Sequence, residues 1–174
     1  MQTSIFDDSN TIQSKHLVKW PDPHDQKFEI DVATTLKNIE KINQSKIFDI
    51  NQTSPNTPYC IYNSFNLDPL WHTDEEVNRI LLLEPNHFEQ FPVTEKVLQF
   101  IVDLAITNIP AIQIFIGNFE ALSQQIQTTT YFKEHPTTLH YQGIQEERDW
   151  LFPQVDGYFP SFFGYWKKCE RYLK

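Results

Sequence analysis

Two runs, RILLLE at 79–84 and AIQIFIG at 111–117, constrain the fold more than any other feature of the chain. Each is of strand length and almost continuously apolar, and the second is rich in β-branched residues and closed by glycine. A strand with one face in water alternates apolar and polar side chains, whereas a strand covered on both faces does not. Both runs therefore predict inner strands of a parallel sheet sandwiched between helices. A third run, YCIYN at 59–63, is shorter and reads the same way.

Parallel neighbours need a long crossover, usually a helix. Between the second and third runs, Val93, Val97, Phe100, Ile101 and Leu104 fall on one stripe at helical spacing. Pro92 suits the first turn of such a helix, and Asn108 with Pro110 stops it. Strand, helix and strand in this succession predict a right-handed βαβ unit. After Gly117, Asn118 is a natural N-cap for a helix turning Phe119, Leu122 and Ile126 inward. Residues 138–141, TLHY, are expected to form a fourth, edge strand. Ser161 is expected to cap a helix with Phe162, Tyr165, Trp166, Cys169, Tyr172 and Leu173 on one face. The expected fold class is α/β: a three-layer αβα domain, Rossmann-like or flavodoxin-like, with a short, mostly parallel sheet.

The N-terminal third differs. Residues 1–27 are polar and contain Trp20-Pro-Asp-Pro, an extended or turning segment because each proline restricts its predecessor. Val32, Leu36 and Ile39 behind a possible Asp31 N-cap predict a short amphipathic helix over 31–42. The NQTSPNTP segment at 51–58 is loop chemistry. The expected division is a polar N-terminal extension over 1–58 and an α/β domain over 59–174.

Charge narrows the partners. Fourteen basic residues against 23 acidic ones give a net charge of −9, which repels phosphate backbones unless a local basic patch intervenes. The one concentrated basic run is Lys167, Lys168, Arg171 and Lys174, so direct nucleic-acid binding by this segment alone is not expected. The first ten residues are polar and acidic, unlike a secretory signal, and the apolar stretches fall short of the ~20 residues that span a bilayer. A cytoplasmic location without a membrane partner is the default expectation. Cys60 and Cys169 belong to no Cys-x-x-Cys pattern and are expected to be buried free thiols.

Ligands of open α/β sheets dock outside the carboxyl ends of the strands. That rule puts Asn63, Ser64, Asn66, Asp68, Trp71 and His72 on one rim with Glu84, Asn86, His87, Glu89, Gly117, Asn118 and Glu120. Asn63, Asn66, Asp68, Glu84, His87 and Asn118 are the candidate ligand-binding residues, able to hydrogen-bond a ribose, a base or a polar small molecule. Asn and Asp after strands also close turns and cap helices with no ligand near, so both readings stand. His87 could pair with Glu84 as an acid–base couple, although no third group that would orient it is identifiable. There is no Gly-x-Gly-x-x-Gly, no Walker-type loop, no nucleophile elbow and no Cys beside a His. His135 and His140 are five apart with Pro136 between them, outside the spacing of a helical zinc pair. No catalytic residue, metal or cofactor is expected in this chain alone.

The C-terminal stretch is dense in rings. Trp150, Tyr158, Phe159, Tyr165 and Trp166 are candidates for a surface that meets another domain. Packing onto the sheet is the ordinary use of such rings, and an electron relay to a redox cofactor is a third use.

The strings YNSFNLDPLWH at 62–72, RILLLEPNHFEQFPV at 79–93, YFKEHP at 131–136 and RDWLFPQVDGYFPSFFGYWKKC at 148–169 resemble the C-terminal region of short bacterial flavoproteins. These are of the photolyase/cryptochrome family, FAD-binding deoxyribodipyrimidine photolyase-like proteins. The resemblance covers residues 59–174 and rests on long strings rather than on a catalytic motif. It implies a DNA-repair flavoenzyme whose FAD and damaged DNA are held by a separate all-helical domain. The Trp-rich signature of that domain is absent here, so flavin binding and electron relay do not transfer to Trp20, Trp71, Trp150 or Trp166. What the resemblance implies for this chain is an accessory α/β module, antenna-like or interaction-forming, partnered in cis or in trans by a helical FAD-binding domain. The alternative is an independent nucleotide- or small-molecule-binding α/β protein that uses the rim.

Overall fold

The computed structural model describes residues 31–173. The turning segment expected at Trp20 to Pro23 lies outside the described residues. The three apolar runs become β1 (Tyr59–Tyr62), β2 (Asn78–Leu83) and β3 (Gln113–Ile116). They pair in parallel, with Ile61 opposite Ile80 and Leu81 opposite Ile114. Every residue of β1 and the last four of β2 are buried, which is why neither run alternates. Strands β4 (Thr130–Lys133) and β5 (Ile144–Glu146) continue the parallel sheet on the far side of β1, giving the order β3-β2-β1-β4-β5. Of the two topologies expected, this is the Rossmann-like order, and its switch point lies between β1 and β4.

Helices cover both faces. Val32, Leu36 and Ile39 of α1 (Val32–Ile42) and Leu98, Val102 and Ala105 of α3 (Glu95–Asn108) pack with Cys60, Tyr62, Leu81, Leu83 and Ile114. On the opposite face Tyr59, Ile61, Ile80 and Leu82 meet Phe132, Tyr141, Ile126, and Phe119 and Leu122 of α4 (Phe119–Ser123). Asp31 caps α1 by accepting from the Thr34 backbone N–H at 3.0 Å. The core thus reaches back before Tyr59: α1 belongs to it, and Phe48 donates its N–H to the Ile114 carbonyl, lying along the outer edge of β3. The loop at 51–58 separates the sheet from α1 but does not separate either from the core.

Three expectations change. The α3 stripe is rotated: Leu98, Val102 and Ala105 face the sheet, while Val97, Phe100 and Leu104 are exposed. The helix is apolar around much of its circumference, and several stripes at helical spacing compete for the core. Its N-cap is Thr94, so Pro92 precedes it. Residues 138–141 form no strand. Pro136–Thr138 makes a 3₁₀ turn closed by a reciprocal His135–Thr138 cap, and the Thr138 hydroxyl also donates to carbonyls of the same segment. The neighbour of β1 is instead Thr130–Lys133, whose side chains alternate between buried and half-buried. Finally, β3 begins at Gln113 because Ala111 takes a left-handed φ of 53° at the turn before it.

A short helix also connects β2 to α3, namely α2 (Pro85–Gln90). The connection from β1 to β2 is made of turns rather than a helix, and Trp71 fills its interior against Tyr62. Gly143 lets β5 approach β4: it sits at φ +140°, and a Cβ there would collide with the Thr130 hydroxyl and carbonyl. The last helix, α5 (Phe162–Cys169), is capped by the Ser161 hydroxyl as expected. Cys169 is buried on it and Tyr165 and Trp166 are half-buried, but Phe162, Tyr172 and Leu173 are exposed. Cys60 and Cys169 are both free and buried. Among the described residues no helix is long and apolar enough to cross a membrane.

Candidate functional site

All five strands run the same way, so the loops after them gather at one edge of the sheet. Glu84 follows the last residue of β2 and is the centre of that edge. Its side chain is only 10% exposed, yet it is well provided with donors. Oε1 accepts from the Phe119 backbone N–H at the start of α4, at 2.9 Å. Oε2 accepts from the Tyr141 hydroxyl at 3.1 Å. The Nε2 of His140 lies 3.0 and 3.1 Å from the two oxygens. One carboxylate therefore ties β2, α4 and the β4–β5 connection together, and three donors compensate its removal from water.

Packing and hydrogen bonds fix the roles of the neighbours. Burial, then the adjacent Glu84 charge, pushes the Tyr141 phenol far above its usual range, so it stays protonated and donates. Its ring stacks on Phe119 at 4.5 Å, which fixes the hydroxyl over the carboxylate. In the tautomer that donates Nε2–H to Glu84, the Nδ1 of His140 is the acceptor, and the side chain is 56% exposed. The arrangement is an imidazole oriented by a buried carboxylate. Chemically it can accept a hydrogen bond or a proton from a bound molecule.

A cleft of about 940 Å³ opens over this group. Its walls include Glu84, Asn86, His87, Gln90, Phe91, Asn118, Glu120, Thr137, His140 and Gln142. Among the described residues, two carboxylates and no Lys or Arg line it. Asn118 stands at the N-cap position of α4 as expected, but its side chain makes no capping bond; the Glu84 carboxylate bonds the Phe119 N–H there instead. The Asn118 amide is thereby left on the cleft wall.

A second cleft of about 350 Å³ lies beside the switch point, lined by Asn63, Phe65, Asn66, Asp68, Lys133, Glu134, His135, Arg148 and Asp149. Here the asparagines also shape the loop. Asn63 Oδ1 accepts from the N–H groups of Phe65 and Asn66 at 2.9 and 3.1 Å, and Asn66 Oδ1 from Asp68 N–H at 3.3 Å. Asp68 Oδ1 in turn accepts from Leu70 N–H at 2.8 Å. These are side-chain turns of the kind that favour Asn and Asp after strands.

The six candidate residues are thus on one edge but divide between two clefts, with Glu84, His87 and Asn118 on the larger and Asn63, Asn66 and Asp68 on the smaller. His87 does not pair with the Glu84 carboxylate. Its ring sits among Phe65, Phe88 and Phe91, and burial, opposed by the Glu84 charge, holds its pKa below the usual value. The pairing histidine is His140, 56 residues along the chain. His140, Tyr141, His135 and Arg148 escape the sequence reading because they follow β4 and β5, neither of which the apolar pattern marks as a strand. The one available clue was the density of His and Tyr in HPTTLHY at 135–141.

The aromatic candidates are also divided. Trp150 is 55% and Tyr158 90% exposed, with Leu151 and Phe163 exposed near them in sequence. Phe159, Tyr165 and Trp166 are half-buried, with Phe159 against Tyr165 at 5.4 Å and Trp166 stacked on Phe162 at 6.1 Å. Among the described residues no group of three or more His, Cys, Asp or Glu is arranged to hold a metal ion. No family model, no curated protein and no solved structure matches the chain.

Proposed function

We propose that the chain is a small-molecule-binding α/β protein whose ligand occupies the larger cleft, over Glu84 and His140. The observation that carries this reading is the buried Glu84 carboxylate, which orients an exposed imidazole at the carboxyl end of the sheet, where Rossmann-like folds receive ligands. The lining sets the ligand class. With carboxylates at Glu84 and Glu120 and no Lys or Arg among the described residues, a phosphate group is repelled, whereas donors such as hydroxyls, amines and ring N–H groups are received. An uncharged nucleoside-like or cationic heterocyclic molecule fits better than a nucleotide.

Thermal unfolding with a panel of nucleosides, pterins and nucleotides tests this. A true ligand at a hundredfold excess over its Kd stabilises the chain by about 2.7 kcal/mol. His140→Ala is expected to abolish that gain and to lower the ligand-free Tm only modestly, because water can reach the half-exposed position and replace one of the three donors to Glu84. A ligand whose stabilising effect survives His140→Ala and Asn118→Ala unchanged does not bind here, and the reading fails.

A second reading is favoured by the exposure of Trp150 and Tyr158: an accessory domain of a photolyase/cryptochrome-related flavoprotein, docking through this aromatic segment onto a helical FAD-binding domain. Under that reading the isolated chain is colourless and gains stability from such a domain, and Trp150→Ala with Tyr158→Ala weakens the association.

A further inference from the structure

We propose that the smaller cleft, at the switch point between β1 and β4, is a carboxylate-binding subsite that takes the acid end of a small zwitterionic molecule of the amino-acid class. This goes beyond the reading of the larger cleft and does not rest on it, since the residues differ.

Two residues that line this cleft carry a buried, unsatisfied donor. Asn66 Oδ1 is held by the Asp68 N–H, yet its Nδ2 has no hydrogen-bond partner among the described residues. Arg148 Nε is likewise buried without a partner, while its guanidinium lies over the Trp150 ring at 4.4 Å. Buried N–H groups are normally paired, and an unpaired one costs about 1–3 kcal/mol. Arg148 also forms no ion pair among the described residues, unlike Lys133, which stands 3.3 Å from Asp149 and 3.7 Å from Glu146. A third donor is set by tautomer. His135 Nδ1 accepts from the Thr137 backbone N–H at 3.2 Å, so the ring proton of the neutral side chain is on Nε2. Asn66 and Arg148 both line one cleft of about 350 Å³, and what would satisfy their orphaned N–H groups, once the side chains turn toward it, is an acceptor-only group.

The charges around the donors choose among acceptors. Asp149 is compensated by Lys133, but Asp68 and Glu134 line the same cleft without an ion pair among the described residues. One guanidinium therefore shares the cleft with two carboxylates that form no ion pair among the described residues. A doubly charged phosphate meets net repulsion, and a simple monoanion fares little better. A molecule with a carboxylate at one end and an ammonium at the other meets opposite charge at both, Arg148 for the acid and Asp68 and Glu134 for the amine, with the neutral Asn66 amide as a further donor to the acid.

The test is a titration of the full chain followed by ¹H–¹⁵N NMR at the Arg148 Nε–H and Asn66 Nδ2 signals. Glycine, leucine and glutamate are the probes, with acetate and inorganic phosphate as comparisons. Saturable shifts at both signals with at least one amino acid, and weaker binding of acetate and phosphate, are expected. Arg148→Gln and Asn66→Asp should each weaken the amino-acid affinity about tenfold or more. Asn66→Asp keeps the oxygen that the turn needs, so at least one variant is expected to retain the native spectrum. No saturable shift with any amino acid overturns the proposal. So does acetate or phosphate binding as tightly as the amino acids, or an affinity unchanged in both variants. Signals from the larger cleft are read in the same spectra, which keeps the two proposals separable.

Discussion

At the scale of single residues, two histidines on the ligand edge have a consequence for stability. Burial holds His87 below its ordinary pKa of 6.5 against the pull of Glu84, and burial, Arg148 and His87 together hold His135 below it. The folded state therefore binds protons at these sites less readily than the unfolded chain. Their contribution to stability is full above the unfolded pKa and is lost as pH falls through about 6.5 toward the lower folded values. Urea denaturation across pH is expected to show stability declining below about pH 6.5, and less steeply in His87→Phe combined with His135→Gln. A stability that rises between pH 7 and about 5.5 would contradict this assignment. Glu146 acts in a separate window. Burial raises its pKa, but hydrogen bonds from Trp71 and His72 and the charges of His72 and Lys133 outweigh that and lower it. Its contribution is lost only as pH falls below the ordinary carboxylate value of 4.5.

Elements are decided by which stripe or segment wins the core. In α3 the stripe Val97, Phe100, Leu104 has the right period but remains outside, while Leu98, Val102 and Ala105 reach the sheet. Leu98→Ala, and Leu36→Ala in α1, are each expected to cost about 2–5 kcal/mol in denaturant unfolding. Phe100→Ala, at a position 63% exposed, is expected to change stability by no more than about 0.5 kcal/mol. A large loss at Phe100 with a small one at Leu98 would mean that the helix is turned the other way. The same competition explains the TLHY segment. Its local turn chemistry, Pro136 with the His135–Thr138 cap, satisfies the backbone without a partner strand, whereas Thr130–Lys133 finds one in β1.

For the molecule as a whole, the parallel sheet buries the middle of the chain so thoroughly that Cys60, within β1, is pushed up to about 12 by burial. Cys169 is buried on α5. Iodoacetamide is expected to label neither thiol in the folded protein at about pH 8 and both in denaturant, with mass spectrometry as the readout. Labelling of Cys60 under native conditions would mean that the sheet opens locally. The order β3-β2-β1-β4-β5 has a further effect at this scale. It brings the β4–β5 connection next to the loops after β1 and β2, and so creates both clefts.

The amino-acid order alone determined the inner strands, their parallel direction and the αβα class. Uninterrupted apolar runs such as ILLL at 80–83 have one economical solution, burial on both faces. It also located the rim, and with it Glu84, Asn118, Asn63, Asn66 and Asp68. The choice of His140 over His87 as the partner of Glu84 came from packing, as did the face of α3, the identity of β4 and the orphaned donors at Asn66 and Arg148. Each depends on pairs far apart in the chain, and periodicity carries no information about which distant segment fills a given space. Local pattern governs what a segment must hide; three-dimensional packing governs what it meets once hidden.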